Sequence, residues 1–504
     1  MVKSRSGAMS AGDHEAHAGE AQALLHEQTS TSPSSTAIHA PVTEEGGTTS
    51  AAATGSVAVN FGGSMEQEQG ADSSHSQQPR RLGALQLAFV TFFAVSGGPY
   101  GFEAVLASAG LYRTLAGLLV APVVWSVPLA LMTAELSATI PESGGHVVWV
   151  TQALGPFCGV INGTLSIMCN FFDNALYPVL FCDYVEGMAD HVFLSSPPIK
   201  WVMKFLLVVG VTYLNLRGID VVGDATILFG ALVLAPFVVM CLMGMPKAFG
   251  TDVAFTHANA DKVHVHWRTF LTLLLWNTSG FDSAGSIAAE VVQPSRTYPR
   301  ALSACVVLTS ITYALPTFVG YAFMPDRDEW HDGTFVDVAE EVGGAWLKMW
   351  LGAAGTVSAV GLFCTLLCTS SRLLYAMARE GFVPPIFAKV HTKHRTPHIS
   401  IITNAFVTLL LSAFSFESLA EADMLFYCLS TVLKFAALYS LRRNQPDRRR
   451  PYRIPLDDSS LLVMCLVPST LCIITASLCS WPAILSGVLL VCLASASYLF
   501  KKIF

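Results

Sequence analysis

Charge is scarce in this chain. Only 13% of its 504 residues are Asp, Glu, Lys or Arg, against 52% hydrophobic, and its mean hydropathy is +0.51. That balance excludes an ordinary soluble domain and is typical of a polytopic membrane protein. Phosphate-loop and nucleophile-elbow patterns are also lacking. With no soluble catalytic domain beside the apolar runs, no enzyme is expected. No basic segment leading into a short apolar run opens the chain, so a secretory leader is not expected and the first apolar span is read as directing insertion. The 12 cysteines are scattered, mostly within apolar spans. Cys364 and Cys368 lie one helical turn apart without two further ligands and are read as packing groups. Neither a disulfide framework nor a metal nor a cofactor is expected. The net charge of −7 says little until its distribution is known.

Bulky hydrophobes are sparse in residues 1–81, where "TSTSPSSTAIHAPVTEEGGTTSAAATGS" is small and polar. Such a segment buries too little apolar area to offset the entropy of folding, and is read as a disordered cytosolic tail. From residue 82 to 504 the chain reads as one all-α transporter domain. Apolar stretches long enough to cross a bilayer, roughly 20 residues each, fall at about 84–108, 114–138, 147–182, 200–216, 220–244, 267–290, 300–324, 345–376, 397–416, 420–441, 460–480 and 482–500. Twelve spans are therefore expected.

Loop charge sets the expected orientation. With the N-terminus inside, "LRRNQPDRRRPYRIP", "AREGFVPPIFAKVHTKHRTP" and the terminal "KKIF" are cytosolic and rich in Arg or Lys. The opposite side receives the acidic "DRDEWHDGTFVDVAEE" and "ESLAEAD". Both termini are expected in the cytosol, in a multi-pass protein of the plasma membrane. The sequons at Asn162 and Asn277 fall within spans, out of reach of glycosylation.

Two spans are interrupted. The first carries Ser96, Gly97, Gly98, Pro99 and Gly101 near its middle, followed by Glu103. The sixth carries Asn277, Thr278, Ser279, Gly280, Asp282, Ser283 and Gly285. Unpaired backbone at membrane depth is tolerated only where it lines a cavity or is buried in protein. A kink packed against a neighbour explains either break alone. Matching breaks in two groups of five helices instead point to a transporter site.

"VSGGPYGFE", "AELSATIPESGGHVVWV", "LGPFCGVINGTLS", "DNALYPVLFCDY" and "AAEVVQPSRTYPRAL" together resemble the amino acid–polyamine–organocation superfamily, over roughly residues 82 to 455. The stretch "FDNALYPVLFCDY", with "GGPYGFE" upstream, more narrowly resembles the polyamine importers of plants and trypanosomatid protozoa. The resemblance implies a five-plus-five inverted repeat of the LeuT-like kind, two additional helices, and a central site at breaks in helices 1 and 6.

Amino acid carriers of that fold use the first break to hold a carboxylate, which suits exposed N–H groups. Here acids stand at the breaks instead. Glu103, Asp282 and Asp173 are expected to converge with no equally central Lys or Arg, leaving a negative site that needs a cation. Putrescine, with ammonium groups about 6 Å apart by ordinary bond lengths, or the longer spermidine would satisfy it. Asn174 and Tyr177 are candidate polar contacts, and Tyr100, Trp276 and Phe281 candidate aromatic walls. Ser96, Gly97, Gly98, Gly101, Ser279 and Gly280 are the candidate helix-break backbone. Each has a plainer reading: Glu103 as a cap on the outer half-helix, the polar groups as interhelical glue, the rings as packing. Glu290, like Glu135, is read as a gate or loop anchor near the cytosolic face, and Asp224 as a solvated helix end or a proton-coupling group. Lys434 stands where the resemblance implies an acid, and is expected to snorkel to the cytosolic interface.

The sequence thus points to a secondary polyamine importer working by alternating access, proton- or potential-driven. Its expected partners are a small polycation, the lipid bilayer and a co-transported proton, with no nucleic acid. Oligomeric state and the choice between putrescine and spermidine stay open here. So do two other functions: an amino acid or cationic amino acid carrier, and a non-transporting nutrient sensor.

Overall fold

A computed structural model describes residues 81–188, 196–250, 265–331 and 333–503. The expected N-terminal tail lies outside the described residues, apart from Arg81. Among the described residues, fifteen α-helices account for most of the chain. They are α1 (Ala84–Val95), α2 (Glu103–Ala109), α3 (Leu111–Thr139, with a π-turn at Pro122–Ser126), α4 (His146–Leu154) and α5 (Pro156–Met188). Next come α6 (Pro197–Arg217), α7 (Ile219–Gly250), α8 (Trp267–Asn277), α9 (Pro294–Phe323) and α10 (Thr334–Gly343). The last five are α11 (Ala345–Arg379), α12 (His398–Leu411), α13 (Phe416–Asn444), α14 (Asp458–Leu478) and α15 (Trp481–Ile503).

Helical segments occupy each of the twelve predicted stretches. Eight are long and apolar enough to cross a membrane; the others are shorter or interrupted. The protein is a multi-pass membrane protein. Its outer helices present large apolar side chains outward, such as Leu206 on α6, Leu242 on α7 and Ile473 on α14. A surface of that kind suits acyl chains rather than water.

Both expected breaks are present. The chain leaves α1 at Val95 and re-enters helix only at Glu103. After Asn277, α8 gives way to short 3-10 turns at Phe281–Ser286 and Ala288–Glu290. The stretch 147–182 is not the single span expected: Gly155 (φ +88°) separates α4 from α5. "ESLAEAD" is also not an outer loop, because residues 417–423 form the opening turns of α13.

The two breaks touch backbone to backbone. Gly280 (φ +97°) sits so close to α1 that a Cβ there would lie 2.3 Å from the Ala94 carbonyl oxygen. Only glycine permits both that dihedral and that approach. The π-turn of α3 faces the second break, where Trp125 Nε1 donates to Ser279 Oγ (3.1 Å) and Ser126 Oγ to the Thr278 carbonyl (3.2 Å). Freed carbonyls at membrane depth thereby find partners. Beyond the breaks, Leu82 pairs with the strand-like backbone after Glu290: Leu82 N–H donates to the Glu290 carbonyl (3.0 Å) and Val292 N–H to the Leu82 carbonyl (3.0 Å).

Candidate cation-binding site

The breaks, α5, α11 and α13 enclose a cavity of about 60 Å³. Both α11 and α13 pack closely on α5. Along α5 the lining residues Ser166, Asn170, Asp173 and Tyr177 recur at helical spacing, so they share one face. Along α13, Asp423, Tyr427, Ser430 and Lys434 do the same. Phe172 and Phe426, beside these faces, stack with ring centres 5.8 Å apart and clamp the two helices together.

Three carboxylates line the cavity. Asp173 accepts from the Tyr177 hydroxyl (2.8 Å). Asp423, buried, accepts from the Cys169 thiol (2.9 Å). Asp282, in the second break, accepts from the Tyr427 hydroxyl (2.7 Å) and from the Lys434 ammonium. The Tyr427 oxygen in turn accepts from Gly280 N–H (3.2 Å). Lys434 is only 2% exposed. It does not snorkel outward as expected, and the cavity is not free of lysine. The reason is Asp282, whose carboxylate offers the ammonium a charged partner that an apolar helix face does not. His146 also lines the cavity, its ring buried and neither nitrogen hydrogen-bonded.

Of the predicted residues, Asp173, Tyr177, Asp282, Tyr100, Trp276, Ser96, Ser279 and Gly280 line the cavity. Glu103, Asn174, Phe281, Gly97, Gly98 and Gly101 are not among its lining. Glu103 opens α2, is buried, and accepts from the Gly333 N–H (3.3 Å); the acid expected beside Asp173 and Asp282 is in fact Asp423. Asn174 turns to α11, donating to Ser370 Oγ (3.1 Å). Phe281 is fully buried in the core. Tyr100 packs against Tyr184 and Phe237 and donates to the Leu351 carbonyl.

The acids outside the cavity have partners of their own. Arg372 holds both Glu290 oxygens, with both side chains almost fully buried. Arg442 holds Glu135 in the same bidentate way (2.8 and 2.6 Å), helped by the Ile454 N–H (2.8 Å). Asp224 is exposed and accepts from Gln86 Nε2 (2.8 Å).

Residues 82–498 match the amino acid permease family. The chain belongs to that family. The permease is 37% identical to a probable polyamine transporter of Arabidopsis thaliana over 80% of its own length and 81% of the relative's. It is 38% identical to a polyamine transporter of Oryza sativa subsp. japonica, over 79% and 74%. A branched-chain amino acid permease of Bacillus subtilis is more distant, at 24% over 76% and 86%. The permease is thus a transporter rather than an enzyme.

Sequence reasoning missed Asp423, Lys434, Tyr427 and His146. A signal for three of them was present: Asp423, Tyr427 and Lys434 recur at helical spacing in one apolar segment, a polar stripe that a lipid-facing helix does not carry. Reading "ESLAEAD" as a loop broke the stripe at its first member.

Proposed function

We propose that this permease imports polyamines across the plasma membrane, with both termini cytosolic. In this reading twelve helices cross the bilayer as a five-plus-five inverted repeat with two additional helices, and one bundle rocks against the other around the cavity. The observation that carries it is a pair of carboxylates, half-buried Asp173 and buried Asp423, facing one cavity from α5 and α13. Charges so placed need a cation, and the neighbouring rings of Tyr100, Tyr177 and Trp276 suit both ammonium groups and methylenes. The relatives named as polyamine transporters support the same substrate class.

An amino acid carrier would hold the substrate carboxylate on the N–H groups of the first break. Three of those donors are already engaged here. Ser96 and Gly97 N–H donate to the Phe92 carbonyl (2.8 and 3.1 Å), and Gly98 N–H to Ser96 Oγ (3.2 Å). This favours the polycation.

Glu103, held under residue 333, acts on the approach to the site, beside the acidic stretch 326–341. Arg372–Glu290 and Arg442–Glu135 tie helix ends together and serve as gate anchors. Asp224 and a cavity carboxylate are the candidate proton carriers. An inside-negative potential also favours entry, by about 2.3 kcal/mol per charge per 100 mV.

The test is uptake of labelled putrescine and spermidine into cells deficient in polyamine transport, with arginine and leucine as controls. Saturable polyamine uptake without uptake of either amino acid is expected. Leucine or arginine uptake without polyamine uptake overturns the substrate class, and binding without flux turns the protein into a sensor.

A further inference from the structure

Lys434 has no part in the reading above, yet it occupies the place where a substrate cation is expected. The geometry points to Lys434 as a resident cation that sets how many substrate charges the cavity accepts, an inference that rests on the polyamine reading. Its ammonium is bonded to Asp282 and lies 4.9 Å from the centre of the Tyr427 ring. The Tyr427 hydroxyl takes the other Asp282 oxygen. Both oxygens of that carboxylate therefore have protein donors, and one donor is charged. A free ammonium would have to displace a tethered one, which has no translational freedom to recover by leaving.

The charge count follows. Asp173, Asp282, Asp423 and Lys434 are the Asp, Glu, Lys and Arg side chains of the described cavity lining. With all three carboxylates ionised and His146 neutral, three negative charges against one ammonium leave a formal charge of −2. Uncompensated charge is costly in a largely buried site. A diammonium substrate neutralises the cavity. A triamine leaves one positive charge over, and a monoamine one negative charge. Lys434 thus makes the site select diamines such as putrescine over spermidine and over monoamines. Without it the same carboxylates would match a trication.

Charge, rather than shape, is tested by four variants in proteoliposomes, measuring inhibition of labelled putrescine uptake by unlabelled putrescine, spermidine and butylamine. Wild type and Lys434→Arg (formal charge −2) are expected to prefer putrescine to spermidine at least tenfold. Lys434→Gln (−3) is expected to lower that ratio tenfold or more. The double variant Lys434→Gln/Asp282→Asn restores −2, and with it the diamine preference. Asp282→Asn alone (−1) shifts preference towards butylamine, and it keeps the inference testable should Lys434→Gln fail to fold. A merely structural lysine would change the amount of active protein but not these ratios. A ratio within threefold of wild type in Lys434→Gln, or in Asp282→Asn where that variant alone folds, overturns the inference. So does a double variant that behaves like Lys434→Gln. Selectivity unchanged while polyamines are still carried leaves the importer standing. No amine uptake by wild type removes the polyamine reading and the inference together.

Discussion

Replacing Glu290 by Gln isolates the energetics of the break's far end. Arg372 and Glu290 are 2% and 6% exposed, so the guanidinium cannot turn to water when its partner loses charge. Breaking a buried pair from one side costs about 3–5 kcal/mol, because the remaining charge stays uncompensated. Glu290→Gln keeps the shape and one acceptor oxygen, so a loss near 3 kcal/mol is expected; Arg372→Met, which strands the carboxylate, belongs near 5 kcal/mol. Arg372 also donates to the Cys368 carbonyl (3.0 Å), and that bond survives in Glu290→Gln. The double variant Glu290→Leu/Arg372→Met removes both charges and should recover at least about 2 kcal/mol relative to Arg372→Met alone. Equilibrium unfolding in mixed detergent micelles, followed by helical circular dichroism, measures all three. Single variants within about 0.5 kcal/mol of wild type, the usual range for exposed pairs, would refute the burial of this pair and its role as an anchor.

Three further predictions concern transport. Asp173→Asn and Asp423→Asn each remove a charge-assisted contact of about 1.5–3 kcal/mol, so the KM for putrescine should rise roughly ten- to a hundredfold; a KM unchanged in both variants would detach the pair from the substrate. Gly280→Ala forces a Cβ against the Ala94 carbonyl at a positive φ, and is expected to abolish uptake while costing about 1–3 kcal/mol of stability. Uptake at wild-type rate in this variant would show that the two breaks need not touch. Glu103→Gln retains an oxygen to accept from Gly333, so the protein should reach the membrane, with a KM raised several-fold and less than in Asp173→Asn. An unchanged KM there would leave Glu103 a purely structural group.

The fold was largely legible because hydrophobic length and the two Gly-rich interruptions are local signals. Asp282, Asp173 and Tyr177 could be picked out for the same reason: each lies in or near a break or a polar notch in an apolar segment. Lys434 could not be placed, because its partner Asp282 is 152 positions away. A lysine in "TVLKFAAL" gives no local hint whether its ammonium reaches water or a distant acid. Glu103 shows the converse. Its nearness to the first break in sequence suggested the cavity, but the chain turns between Ser96 and Phe102, and its carboxylate meets Gly333 instead. Asp423 fell between the two cases, visible as one end of a helical stripe once that helix is known to begin at Phe416.

Equilibrium binding of labelled putrescine to the purified permease in lipid nanodiscs tests the central claim most directly, comparing wild type with Asp173→Asn/Asp423→Asn. The account predicts saturable binding to wild type, displaced by unlabelled putrescine and not by leucine, and at least a hundredfold weaker binding in the folded double variant. Binding of equal affinity in both proteins would contradict it, because the cavity's carboxylate pair would then not be what holds the cation.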